Sequence, residues 1–162
     1  MVPMANENKL ATAMGAARLL TEARDFIKDQ KHWIKASLYS GIEGGDAEVS
    51  LASASRVCAI GGVMKVANLG IKDYNDIATD CHAEAFEALQ TLANVIQGRA
   101  RHYESGFWQW AADVHAFNDA GNTSHAEVIG AFDKAVERQC AVVRDLAAQT
   151  GKPTDGQKDH AS

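Results

Sequence analysis

VSLASASRVCAIGGVMKVAN, residues 49–68, carries only two charged side chains, Arg56 and Lys65, and no proline. Read as a helix it is apolar on nearly every side, and a helix that is apolar all round is a buried one. Asn68-Leu69-Gly70 then reads as its C-terminal stop. The stretch predicts the central helix of a bundle.

On its N-terminal side, Ala16, Leu19, Leu20, Ala23, Phe26 and Ile27 recur at helical spacing. They predict a first helix from Asn6 or Asn8 to about Gln30. Residues 31–48 break that period. Trp33, Ile34, Leu38 and Tyr39 suggest a short extended or hairpin-like piece, and Gly41, Gly44 and Gly45 a turn.

On its C-terminal side, a third helix is expected over about Cys81–Gln97, ended by Gly98, and a fourth over about Phe107–Phe117. Asn118 to Asn122 are turn formers. Ser124 and Glu127 then spell a capping box for a last helix that runs to about Thr150. The only prolines are Pro3 and Pro153, so nothing interrupts a helix between them. The fold class expected is all-α: a compact single-domain bundle of about five helices over residues 1–150. A Gly-rich irregular segment follows helix 1, and 151–162 form a disordered tail.

A chain of 162 residues can bury a core without disulfides or metal. The net charge of −5, with no Lys/Arg cluster, argues against nucleic acid. Cys58, Cys81 and Cys140 are odd in number and lack a CxxC pair, which fits a reducing cytoplasm. No apolar run is long enough for a membrane span, and the N-terminus lacks the apolar core of a signal peptide. The nearly charge-free 49–68 stretch is to be covered by its own chain or by a second copy, so a homo-oligomer is one of two arrangements.

Chemistry-bearing patterns are few. His-Ala-Glu occurs twice, at His82 and His125, within two stretches similar enough to hint at a repeat. Residues two apart on a helix point about 200° from one another, so neither pair is a local chelate. A metal would need both helices to meet. Otherwise the two histidines pack at helix N-termini, kept largely neutral by the dipole. Cys58, inside the apolar stretch, reads as an inert thiol. The Gly41–Gly45 loop carries Glu43 and Asp46 and does not spell a phosphate cradle. Trp108 and Trp110 are two apart, so both cannot face the core, and one belongs at a surface or groove.

Trp33-Ile34-Lys35, then Val57-Cys58-Ala59-Ile60-Gly61-Gly62, then Phe117-Asn118-Asp119 with Thr123 and Ala126-Glu127-Val128, resemble a family of small bacterial and phage proteins of unknown function. The likeness spans roughly residues 15–140. It departs from the family pattern at Phe117, where tryptophan is commoner, and at Gly62, where alanine is commoner. The resemblance implies a fold and a place to look, but no reaction.

Two functions are expected. The first is a non-enzymatic binding or regulatory protein for a small molecule or protein partner, with Trp33, Lys35, Tyr39, Trp108, Asn118, Asp119, Thr123 and His125 at its site. A phage accessory role, such as inhibiting a host factor, belongs here and rests on the resemblance. The alternative is a metal-assisted or acid–base hydrolase using His82, His125, Asp119 and Glu127. No cofactor is expected.

Overall fold

The computed structural model describes residues 2–40, 50–77, 80–98 and 107–151, and of these the side chains of 2–4, 80, 107 and 108 lie outside the description. The Gly41–Gly45 loop, the tail from residue 152 and the Trp108 side chain therefore fall outside it.

Five α-helices are present among the described residues: α1 (Val2–Ile27), α2 (Ala59–Val66), α3 (Ala83–Ile96), α4 (Phe107–Asp119) and α5 (His125–Thr150). Helix α1 starts earlier than expected because Pro3 sits in its first turn, where a missing N–H costs nothing. It stops earlier too. Asp29 leaves the helix to cap a 3-10 turn, Gln30–His32, accepting from Lys31 N at 3.1 Å.

The expected helix over 49–68 is the main correction. Among its described residues only Ala59–Val66 is α-helical, entered through Cys58, whose backbone is extended and whose Sγ accepts from Gly61 N at 3.4 Å. Before it, Val57 pairs with the backbone of the 32–34 segment: its N donates to His32 O at 2.9 Å, and its O accepts from Ile34 N at 3.1 Å. Cys58 N donates to Leu38 O at 3.0 Å. Trp33 and Tyr39 thus both bridge to Val57, one parallel and one antiparallel. The part of the stretch from Val57 to Met64 is apolar because it is buried. That half of the reading holds, since Ala59 through Met64 are all buried. Gly61 has a packing reason: a Cβ there would collide with the Leu38 carbonyl.

Helices α1 and α5 run antiparallel. Arg24 meets Asp133 at 3.2 Å near one end, and Gln139 Nε2 donates to Ala13 O at 3.2 Å further along. Helix α3 joins through Thr91, whose hydroxyl donates to Gln139 Oε1 at 2.7 Å. Gln139 is fully buried yet satisfied, since Nε2 also donates to Glu87 at 2.6 Å. Around this polar rivet lies one apolar core containing Leu19, Leu20, Ile60, Leu92, Trp110 and Phe132. The capping box forms as expected: Glu127 N donates to Ser124 Oγ at 3.1 Å, and Ser124 N to Glu127 Oε2 at 3.0 Å. No helix among the described residues is long and apolar enough to cross a membrane.

Candidate functional site

Asn118 stands in the last turn of α4, completely buried, and its amide fills every one of its hydrogen-bonding directions. Oδ1 accepts from Trp33 Nε1 at 2.8 Å and from Ala59 N at 3.1 Å. Nδ2 donates to Ile34 O at 3.1 Å and to Asp119 Oδ1 at 2.8 Å. One side chain therefore ties the 33–36 segment, the start of α2 and the end of α4 together.

Asp119 extends the knot by accepting from Ala36 N at 2.9 Å. Ala36 has a φ of 63°, a left-handed conformation that costs a non-glycine residue about 1–2 kcal/mol, so this bond holds a strained turn. Lys35 reaches across to the loop between α4 and α5. Its ammonium donates to Ala120 O at 2.6 Å and Thr123 O at 2.7 Å, and it lies 5.5 Å from the Trp33 ring centroid. His125, the first residue of α5, packs on Trp33 with ring centroids 5.5 Å apart. Its Nε2–H donates to Ile27 O at 2.6 Å, which closes a terminal carbonyl of α1.

Six of the expected site residues, Trp33, Lys35, Asn118, Asp119, Thr123 and His125, are thus brought together. Their polar groups are largely spent on one another and on backbone, so the cluster is a brace. Tyr39 is buried beside Val57. Of the two tryptophans, Trp110 is in the core.

Of the residues of the acid–base alternative, Asp119 and His125 belong to the brace, whereas His82 and Glu127 are engaged elsewhere. Glu127 serves the capping box. His82 lies 4.0 Å from Asp73 and lines a cavity of about 340 Å³ with Arg18 and Glu84. Among the described residues no three His, Cys, Asp or Glu side chains gather as a metal site. Burial pushes the Cys58 thiol up to about 11, so it stays protonated despite its place at the start of α2.

Sequence reasoning missed a half-buried pair. Tyr74 Oη lies 3.2 Å from His115 Nε2, and desolvation lowers the His115 pKa while raising that of Tyr74. Asp119, one turn further along α4, opposes the shift on His115.

It also missed a groove of about 520 Å³ on the far side of the braced turn. Val95, Ile96, Phe117 and Ala131 give it apolar walls. Thr123, Glu127 and Lys134 add polar groups, and Gly130 sits on α5 between the last two. A Cβ added at Gly130 would meet nothing within 4 Å. The signal available in the sequence was that glycine, standing unsupported inside a helix.

A family model of unknown function, DUF6197, matches residues 11–138. The chain belongs to that family. Both the brace around Asn118 and the groove beside Gly130 lie inside the matched region of this DUF6197 member. No curated protein and no solved structure is found to match it.

Proposed function

We propose that the chain is a non-enzymatic binding protein of the cytoplasm whose small-molecule ligand sits in the groove between α3, α4 and the start of α5. The observation that carries this reading is Gly130. A mid-helix glycine is about 0.5–1 kcal/mol worse than alanine, and here no neighbour requires the missing Cβ. Open space along the helix is what the glycine leaves. The groove's volume falls within the roughly 300–1,000 Å³ usual for small-molecule sites, and its mixture of apolar walls with a few polar groups is usual too.

In this reading the brace of Trp33, Lys35, Asn118 and Asp119 fixes the shape of the turn that carries Thr123 into the groove wall. A regulatory role as a phage accessory protein acting on a host factor is the wider setting, and it rests on the resemblance to small bacterial and phage proteins. The hydrolase alternative draws less support, because His125, Asp119 and Glu127 already hold backbone groups.

A thermal-shift screen of a small-molecule library on the wild type and on Gly130→Phe tests the proposal. Stabilising compounds should be found for the wild type and lost in the filled variant, whose circular dichroism stays helical. Hits that persist in Gly130→Phe would place the site elsewhere.

A further inference from the structure

Resting on that reading, we infer that the groove takes a small anionic amphiphile, with a carboxylate or phosphate at one end and an apolar body. The charges on the groove's rim decide the sign. Glu127 lies in the first turn of α5, and its carboxylate accepts from Ser124 N at 3.0 Å. Asp133 does not line the groove, and it shares Arg24, at 3.2 Å, with Asp25, at 3.1 Å. Lys134 lines the groove, is exposed, and makes no ion pair among the described residues. Lys134 is thus the lining cation left to pair with a ligand, while Glu127 keeps its negative charge at the other end of the groove.

Position adds to sign. Glu127 and Lys134 are seven residues apart on one face of α5, a separation of about 10 Å along the axis. An anion at Lys134 stands clear of the Glu127 carboxylate. Between them the helix presents only Gly130 and Ala131 to the groove, so an apolar chain can lie close to the backbone there. Val95 and Ile96 from α3 and Phe117 from α4 supply the opposing apolar surface. Burial of that chain against them is the source of affinity, and the ammonium sets which head group is preferred.

Titration calorimetry with octanoate, octyl phosphate, octanol and octylamine tests this on the wild type, Lys134→Met and Gly130→Phe. Octanoate or octyl phosphate should bind at least about threefold more tightly than octanol and octylamine, the difference expected of an exposed ion pair. Comparing the two anions shows which head group is meant. Lys134→Met should remove the preference and leave octanol binding unchanged, while Gly130→Phe should abolish binding of all four. Octylamine binding as tightly as octanoate, or Lys134→Met without effect, would overturn the anionic assignment and leave the groove intact as the site. If none of the four binds, the ligand class is wrong. The groove reading itself then falls only if library hits also survive in Gly130→Phe.

Discussion

The indole Nε1 of Trp33 donates to Asn118 Oδ1 at 2.8 Å, joining positions 85 residues apart in the chain. That bond links the segment after α1 to the last turn of α4. Because Ala59 N shares the same acceptor at 3.1 Å, the start of α2 is fixed by it as well. Lys35 ties down the turn whose Asn122 and Thr123 line the groove.

Removing the acceptor should therefore be costly. Asn118→Ala leaves the Trp33 indole N–H and the Ala59 amide without their partner in a buried place, and each such loss costs about 1–3 kcal/mol. Urea denaturation should show a loss of about 3 kcal/mol, and a loss under about 1 kcal/mol would mean the brace is not structural.

Ala36 offers a change in the opposite direction. Its left-handed backbone suits glycine, so Ala36→Gly should stabilise the protein by up to about 1 kcal/mol. A lower midpoint in urea would show that the Ala36 methyl matters more than its φ.

Thiol labelling should separate the three cysteines. Cys81 and Cys140 are exposed, whereas Cys58 is buried with its pKa at about 11. Iodoacetamide at neutral pH should add two groups by mass spectrometry, with the third appearing only in denaturant. Prompt labelling of Cys58 in the native protein would contradict its burial.

His115 sets a pH dependence. Its pKa is lowered in the folded state by desolvation, so below about pH 6.5 the unfolded chain binds the proton first. Stability should be full above that pH and fall as the solution is acidified. His115→Asn should flatten this part of the profile, and an unchanged acid limb would assign the loss to other groups.

How far the sequence carried the fold depends on whether a signal was local. Ser124 and Glu127 are three residues apart, and their capping box was legible because both partners lie in one turn. The stripes of α1 and α5 were legible for the same reason. Val57 was not, since its extended conformation follows from pairing with Trp33 and Tyr39 across a long connection. Leu51, Ala54, Val57 and Cys58 are buried from turns and a single bridging residue, and their apolar side chains look the same in a sequence as those of a buried helix. At the site, Asn118 and Trp33 could be named but not paired, and their polar groups turned out to face each other. The groove was invisible because Ile96, Phe117 and Lys134 share it only after three helices pack.

A chemical-shift map of the wild type with its tightest-binding small molecule tests most directly whether the groove beside Gly130 is the binding site. The amide shifts should concentrate on residues 95–96, 117 and 122–134. Shifts concentrated instead around the cavity of Arg18 and His82, or on the Trp33 face of the brace, would contradict it.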